Sequence, residues 1–502
     1  MTRDVKQTEQ QFRQLMQQMD AYNQAIGLMN WDLRTKAPKK GAEQRSNALG
    51  TLSTEVFKIQ TSDEMKAYID EILESDDVSP ISKRSAEELN KNYMKMKKIP
   101  EEEYKEYEIL ASQTESVWAE AKENGDFSSF QPYLEKIIDF KKRFLGYWGY
   151  EGHPYNTLLD DYEPGMTVDT LDNVFTELRD GLTPLVEGVM HSDNKPETDF
   201  LFTTFPKANQ EAFSLDVLNS MQYDFEAGRL DETVHPFALN LNPYDVRVTT
   251  KYDESDFRTA VFGTIHEGGH ALYEQNISEE LLGTVLCGGT SMGIHESQSL
   301  FWENFVGRHY GFWENHYDKL KRQANGQFDS IPLNTFYKAI NEAKPSLIRI
   351  EADEMTYSLH VILRYELEKA IISGDLQVQD LPSAWNEKMK EYLGVEPPHD
   401  GVGVLQDVHW AFGAFGYFPS YALGYIYAAQ FKNAMVKDLP QFDDYVQAGN
   451  LAPIKEWLTK HIHQHGSMKK PVDILQDVTG EGTNPKPLLA YLSSKYKELY
   501  QF

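Results

Sequence analysis

Two histidines four positions apart, in the segment His-Glu-Gly-Gly-His over 266–270, are the clearest sign of chemistry in this chain. On a helix, side chains at i and i+4 lie on one face about 6 Å apart, which suits His266 and His270 binding one zinc ion. Glu267 lies about 100° further round such a helix, so it can face a metal-bound water without binding the metal. Glu296 is a candidate third ligand that leaves a fourth position open for water.

The third ligand distinguishes the classes of zinc peptidase. The His-x-x-Gly-x-x-His continuation of metzincins is absent, because Tyr273 and Asn276 occupy its glycine and histidine positions. A glutamate on a following helix instead gives the His-His-Glu set that thermolysin uses. We favour Glu296 because it begins the next predicted helix, after a glycine-rich loop over 278–294 that permits a reversal. Four other nearby glutamates stay open on spacing alone: Glu274, Glu279, Glu280 and Glu303.

Helices and two short strands are predicted around these residues. The histidine segment falls in a helix over about 255–275, and the next helix covers about 295–310. Alternating residues over 238–241 and 246–249 predict two short strands, and the edge of such a sheet can pair with an extended peptide. The adjacent glycines at 268–269 each cost about 1 kcal/mol relative to alanine inside a helix. Their presence indicates that a ligand or a neighbouring backbone needs the space.

The rest of the chain is predicted to be mainly helical. Apolar residues recur at helical spacing over about 3–26, and further helical runs extend the pattern to about residue 145. We interpret residues 1–145 as a helical array, and we predict a long helix over about 346–373. No internal repeat or clean boundary interrupts the sequence, so we expect one domain over 1–502.

Composition excludes several classes of function. The net charge of −29 argues against nucleic-acid binding, which needs a basic surface, and against docking on an anionic membrane. No apolar run is long enough for a transmembrane helix, and the N-terminal segment lacks the apolar core of a secretion signal. A single cysteine, Cys287, excludes an intrachain disulfide and is expected to be a packed residue. We therefore expect a cytoplasmic protein.

Further motifs give the sequence a specific resemblance. Together with the zinc motif, five segments occur in the order found in the Taq-type (thermostable carboxypeptidase 1) zinc metallocarboxypeptidase family, whose fold is similar to that of angiotensin-converting enzyme and neurolysin. They are His235-Pro236-Phe237; Asp245, Arg247 and Thr249 of Asp-x-Arg-x-Thr; His-Glu-Ser-Gln over 295–298; Ile348, Arg349, Ala352 and Asp353 of Ile-Arg-x-x-Ala-Asp; and Gly-x-x-Gln-Asp-x-His-Trp over 403–410.

The resemblance implies a fold, a metal and an assembly. It implies a mainly α, two-lobed protein with a deep groove, in which the array over 1–145 forms part of the groove wall and a small β-sheet lies near the zinc site. It also implies His266, His270 and Glu296 as ligands of one Zn²⁺ per chain, which cobalt can replace, and Glu267 as the general base. The family further implies a homodimer acting on peptides with a free C-terminal carboxylate.

Other site residues follow partly from the resemblance. Related enzymes use a histidine and a tyrosine to stabilise the oxyanion, for which His409 and Tyr421 are the candidates. A terminal carboxylate needs a cation in so acidic a chain, and arginine binds it in bidentate geometry. Arg349 and Arg247 both qualify, and Arg349 near the start of a predicted helix is a mild electrostatic misfit that favours a functional role. The remaining candidates are His235 as a wall of the site, and Asp245, Asp353 and Asp407 as residues that orient the ligands.

The leading hypothesis is a zinc carboxypeptidase in which Glu267 activates a metal-bound water for attack on the peptide carbonyl. One alternative is an oligopeptide endopeptidase that uses the same zinc site. Another is a catalytically silent peptide-binding helical protein, although such a protein has no need of a base at Glu267.

Overall fold

The computed structural model describes residues 5–502 and is built mainly from α-helices. The first residues of the helix predicted over 3–26 and of the domain predicted over 1–502 lie outside this range. Helices α1–α20 are, in chain order, Val5–Thr35, Ala42–Gln60, Asp63–Glu74, Pro80–Lys98, Glu101–Asn124, Phe127–Trp148, Tyr155–Leu159, Val168–His191, Lys207–Ser220, Arg258–Gln275, Met292–Leu300, Tyr310–Gln323, Leu333–Ile340, Tyr357–Ser373, Leu381–Leu393, Pro419–Asp438, Phe442–Gln447, Ala452–His461, Pro471–Thr479 and Lys486–Tyr500. Strands β1–β3 are Leu230–Glu232, Ala238–Asn242 and Asp245–Thr250.

Two hydrophobic cores divide the helices into two lobes. The smaller core joins α1, α3 and α4 through Phe12, Met16, Ile69 and Leu89 among others. The larger core holds α5–α20, including α5 and α6 of the predicted N-terminal array, whereas α2 packs on the smaller core through Ile59. The predicted mainly α, two-lobed fold with a small sheet is confirmed. None of the helices within residues 5–502 combines the length and the apolar character needed to cross a bilayer.

The three-stranded sheet has the order β1-β3-β2, with β1 parallel and β2 antiparallel to the central β3. Strand β2 is therefore an edge strand, as the sequence predicts for this segment. The Thr249 hydroxyl bonds to both the N–H and the C=O of Phe237, at 2.8 and 2.9 Å, and so fixes the start of β2. Strand β1 was not predicted, because three residues are too few to show an alternating pattern.

One predicted helix begins later than expected. The helix predicted over 346–373 starts only at Tyr357, and Arg349 lies in a separate 3₁₀ turn, Arg349–Glu351. An extended residue, Ala352, interrupts the helical backbone, and the Asp353 carboxylate then accepts the N–H groups of the next turn. The argument that Arg349 is an electrostatic misfit at a helix start is therefore wrong.

Helix α11, which carries Glu296, is held between α10 and α16 by close backbone approaches. A Cβ atom added at Gly269 of α10 would lie 2.6 Å from the carbonyl oxygen of Gln298 and 2.7 Å from the Cα of Ser299. On the other side, a Cβ at Gly424 of α16 would lie 2.6 Å from the Cβ of Glu296. The prediction that a neighbouring backbone needs the space at Gly269 is confirmed.

Candidate metal centre and active site

Three side chains predicted as metal ligands converge between α10 and α11. Donor atoms of His266, His270 and Glu296 all lie within 4.8 Å of one another. The Oε2 atom of Glu296 is 3.7 Å from His266 Nε2 and 3.4 Å from His270 Nε2. A tetrahedral ion with bonds of about 2.0–2.1 Å separates its donors by about 3.3–3.4 Å, so two imidazoles and a carboxylate fit a divalent metal here.

Charges within this cluster oppose the effect of burial. Burial raises the pKa of Glu296, but the charge of His266 and a bond from His270 outweigh it and lower that pKa to about 2. Burial lowers the pKa of His270 to about 4. Burial also disfavours charge on His266, but Glu296 and Glu303 outweigh it and raise its pKa to about 10. The carboxylate is therefore anionic before any cation binds, and a binding cation displaces a proton from His266.

Glu267 lies beside the cluster without being one of its three converging donors. Only 9% of the residue is exposed, and the N–H of Ala238 on the edge strand β2 bonds to its carboxylate. Burial raises the pKa of Glu267 to about 7, opposed by the charge of His266 and assisted by that of Glu296. Strand β2 thus contacts α10 at Glu267, the residue predicted to be the general base.

The Nδ1 atoms of His266 and His270, the ring nitrogens away from the cluster, have different partners. His266 Nδ1 lies 2.9 Å from Glu303 Oε2, and the other oxygen of Glu303 accepts from Arg308 at 3.1 Å. His270 Nδ1 instead lies 2.6 Å from Nδ1 of His295. Glu303, one of the four glutamates left open as ligands, therefore contacts His266 at Nδ1, away from the cluster.

The three aspartates considered as orienting residues have other partners. Asp245 binds Arg247, and Asp353 accepts backbone N–H groups near the start of α14. Asp407 binds Arg349 and Arg364. Glu303 and His295 contact the two histidines instead, so that expectation for the aspartates is wrong.

His409, Tyr421 and Arg349 form a second cluster next to the first. His409 Nε2 lies 3.2 Å from Tyr421 Oη, and burial lowers the pKa of His409 to about 4. The Arg349 guanidinium stacks on the Tyr421 ring, 4.5 Å from its centroid, and Tyr421 is within electrostatic reach of Glu296. Arg349 is 5% exposed, and its Nε and Nη2 both donate to Asp407 Oδ1, at 3.1 and 2.9 Å.

The other two substrate-binding candidates have different partners. Arg247 on β3 forms two bonds to Asp245, at 2.7 and 2.8 Å, and its guanidinium lies 5.6 Å from the centroid of the Trp31 ring. His235 is an exposed residue in the turn before β2. Among residues 5–502, no hydrogen bond, ion pair or ring contact joins either side chain to Arg349, Tyr421 or the candidate metal ligands.

Sequence reasoning missed the roles of three residues. Glu303 lies seven positions after Glu296, a spacing that returns to the same face of a helix and could have suggested its position. His295 belongs to a recognised motif but carried no role. Arg364 shares Asp407 with Arg349 across the interior, and no local pattern in the sequence connects them.

Comparison with known proteins assigns the chain and its fold to one family. The profile described as "Carboxypeptidase Taq (M32) metallopeptidase" matches residues 11–496. "Carboxypeptidase 1" of Bacillus subtilis is 56% identical over 498 residues, which is 99% of each chain. "Thermostable carboxypeptidase 1" of Thermus thermophilus is 40% identical over 96% of this chain and 97% of its own. The crystal structure of M32 carboxypeptidase from Deinococcus radiodurans R1 covers 99% of this chain and 100% of its own, with a TM-score of 0.96 at 36% identity.

These matches cover nearly the whole chain, so they do not arise from one short segment that the proteins share. Profile, sequence and structure agree from the N-terminal lobe to the last helix. The chain belongs to the Taq-type (M32) carboxypeptidase family and is a metallocarboxypeptidase, a hydrolase of peptides.

Proposed function

We propose that His266, His270 and Glu296 bind one zinc ion per chain and that Glu267 is the general base of a carboxypeptidase reaction. The observation that carries this proposal is the convergence of the three donor atoms within 4.8 Å. Two nitrogen donors and one carboxylate oxygen suit zinc, and cobalt accepts the same donors. Three protein ligands leave the open position that a catalytic site requires.

The residues divide the chemistry between them. His266, His270 and Glu296 would hold the zinc ion, which when bound would supply polarisation of the scissile carbonyl and a more nucleophilic water at neutral pH. Glu267 takes the proton of the attacking water on its carboxylate and passes it to the nitrogen of the leaving residue. The bond from the N–H of Ala238 holds that carboxylate in position.

Tyr421 stabilises the oxyanion in this proposal, with His409 as its support. His409 is neutral at pH 7, because burial lowers its pKa to about 4. Its Nε2–H can donate to Tyr421 Oη across 3.2 Å, and the phenolic O–H, which also reaches Tyr417, can turn to the developing negative charge.

Arg349 binds the terminal carboxylate in this proposal. Its Nε and Nη2 are occupied by Asp407, whereas no acceptor among residues 5–502 bonds to its Nη1. Asp407 also binds Arg364, so two guanidinium groups share one carboxylate and one positive charge is left uncompensated. That charge attracts an anion in a chain whose net charge is −29.

Several further predictions remain part of the proposal. Asp245 accepts two bonds from Arg247, and His235 is exposed, which favours Arg349 as the carboxylate-binding residue; roles for the other two stay predictions. We also propose one peptidase domain, with the array over 1–145 lining the groove, a homodimer and a cytoplasmic location.

Replacement of the base tests the catalytic assignment. Glu267→Gln keeps the shape of the side chain but cannot accept a proton, so kcat falls by about 10²–10⁴-fold, while one equivalent of zinc stays bound. Glu280→Gln, an exposed glutamate in the same region, serves as the control and retains full activity. A Glu267→Gln enzyme with kcat within threefold of the wild type contradicts the role of this residue as the base.

A pair of substrates tests the carboxylate site. An N-blocked dipeptide with a free C-terminus is hydrolysed, whereas its C-terminal amide is not. Arg349→Lys loses the bidentate geometry and raises KM for the free acid, and Arg247→Lys leaves it close to the wild-type value. Equal cleavage of acid and amide, or the reverse order of the two arginine variants, contradicts the assignment of Arg349.

A further inference from the structure

The two histidines of α10 differ in the partner of Nδ1, the ring nitrogen away from the cluster. A carboxylate, Glu303, lies against His266 Nδ1 at 2.9 Å, which is the usual arrangement for a metal-binding histidine. A second imidazole, that of His295, lies against His270 Nδ1 at 2.6 Å. An imidazole in its neutral form donates at one nitrogen and accepts at the other. The partner at one nitrogen therefore decides whether the other nitrogen donates or accepts, whereas both oxygens of a carboxylate accept.

Glu274, which is 5% exposed, is the acceptor that orients a chain of hydrogen bonds leading to His270. Its Oε1 accepts from the N–H of Gly289 at 3.0 Å and faces His295 Nε2 at 2.8 Å. Its Oε2 accepts from the side-chain amide of Asn240 on β2. Both oxygens of Glu274 accept from N–H donors, so this side chain is the acceptor towards His295, which carries its proton on Nε2.

This choice of proton fixes the next ring. With its proton on Nε2, the His295 ring offers a lone pair at Nδ1 and accepts from the Nδ1–H of His270. The proton of His270 then occupies Nδ1, and its Nε2 is a lone pair directed at the cluster, 3.4 Å from Glu296 Oε2. The lone pair stands on the nitrogen that a metal needs.

We propose that His295 and Glu274 are positioning residues that set the tautomer and orientation of His270 for metal binding. The inference rests on the proposed role of His270 as a metal ligand. This chain of hydrogen bonds, the relay, runs from Asn240 on β2 through Glu274 and His295 to His270 on α10. Strand β2 therefore supports both His270 and, through Ala238, Glu267.

A purely structural role for His295 is the competing explanation. Its ring packs against Tyr273, with centroids 5.3 Å apart, and against His270, with centroids 4.6 Å apart. Phenylalanine preserves this aromatic packing but removes both nitrogens. Glutamine loses the aromatic ring, but its amide offers an acceptor and a donor in the same order. The two substitutions therefore separate packing from hydrogen-bond direction.

The experiment measures zinc affinity by competition with a chromophoric chelator. Loss of an outer partner of a ligating histidine weakens metal binding about 10–100-fold, and we expect this for His295→Phe. His295→Gln restores affinity to within about fivefold of the wild type, which packing alone does not predict. His316→Phe exchanges a buried histidine stacked on Phe312 in α12, away from the cluster, and leaves the affinity unchanged.

Several outcomes overturn the proposal. It fails if His295→Phe binds zinc as tightly as the wild type, or if His295→Gln is as weak as His295→Phe. Thermal unfolding of the metal-free variants identifies a protein that does not fold. In that case the wild-type zinc enzyme, labelled with ¹⁵N-histidine, decides the question by its two-bond ¹H–¹⁵N spectrum: an Nε2–H tautomer at His295 supports the relay and an Nδ1–H tautomer refutes it.

A failure of the proposed function looks different. If the wild-type enzyme binds no stoichiometric zinc, or if His270→Ala binds it as tightly as the wild type, the metal assignment itself is wrong. If wild-type binding is intact and His295→Phe has no effect, only the relay is wrong.

Discussion

An added methyl group at Gly269 tests whether the close approach of α10 and α11 positions the metal site. Gly269 precedes His270, and a Cβ there meets backbone of the helix that carries Glu296, at 2.6 Å from Gln298 O and 2.7 Å from Ser299 Cα. Carbon atoms in contact lie about 3.5–4.0 Å apart, so α11 must move by about 1 Å to accept alanine. Backbone atoms cannot rotate away, so the displacement is carried by the helix.

The magnitude follows from two opposing effects. Alanine improves helix propensity over glycine by about 1 kcal/mol, whereas overpacking a close contact costs about 1–3 kcal/mol. Global stability therefore changes modestly. The geometry of the site changes more, because Glu296 moves with α11 relative to His270, and a misplacement of about 1 Å lowers the rate about 10²-fold.

Two other glycines provide graded controls. A Cβ at Gly268 meets the tip of Leu218 at 2.7 Å, and this side chain can rotate away. At Gly146 in α6 nothing lies within 4 Å. We expect Gly269→Ala to lower zinc affinity and kcat/KM by about 10²-fold, and Gly268→Ala to lower them less than tenfold. Gly146→Ala leaves both unchanged and raises Tm by about 1 °C, because it gains only helix propensity.

The assay combines zinc competition, kcat/KM on the N-blocked dipeptide and thermal unfolding for the three variants. The order Gly269, Gly268, Gly146 in size of effect is the result that the contacts require. If Gly269→Ala keeps zinc affinity and kcat/KM within threefold of the wild type, the spacing of α10 and α11 does not control the site, and the reasoning is refuted.

Three further perturbations have expected outcomes. Chelation removes activity and lowers Tm, because the metal binds only the folded state, and zinc or cobalt restores both; full activity in excess chelator contradicts the metal assignment. Asp407→Asn leaves two buried guanidinium groups uncompensated, costs about 3–5 kcal/mol, and raises KM for the free-acid peptide; an unchanged Tm and KM contradict this. Burial raises the pKa of Glu163 to about 7, so its contribution to stability is present below about pH 4.5 and is lost as the pH rises through 7. Between pH 5 and 8 this loss is about 2.5 kcal/mol, or about 2.5 °C in Tm, and Glu163→Gln removes that part of the pH dependence; parallel Tm curves for the two proteins refute it.

The candidate ligands could be predicted because their information is local. His266 and His270 owe their common face to helical spacing, and Glu296 lies in the next helix after a glycine-rich loop. The reason for Gly269 was also accessible, since a glycine inside a helix costs stability without a compensating contact. The edge strand β2 followed from its alternation. In each case the pattern and its structural consequence lie within one or two neighbouring elements.

The residues that orient these groups could not be predicted in the same way. His270 meets His295 only because α11 folds back against α10, and His295 meets Glu274 only because the loop before α11 brings Gly289 to the same carboxylate. The aspartates that seemed suitable have nearer partners, such as Arg247 for Asp245. Charge and spacing in the sequence do not decide which of two acceptable partners a side chain meets.

The error at Arg349 has the same origin and changes the argument for its function. The periodic apolar residues after position 346 predicted a helix, but Asp353 accepts the N–H groups of the following turn and the helix starts beyond it. Arg349 is thereby held outside α14 by Asp407, with its guanidinium on the Tyr421 ring. A buried arginine beside one shared carboxylate is costly unless an anion completes its pairing. The case for carboxylate binding therefore rests on this uncompensated charge and no longer on a helix dipole.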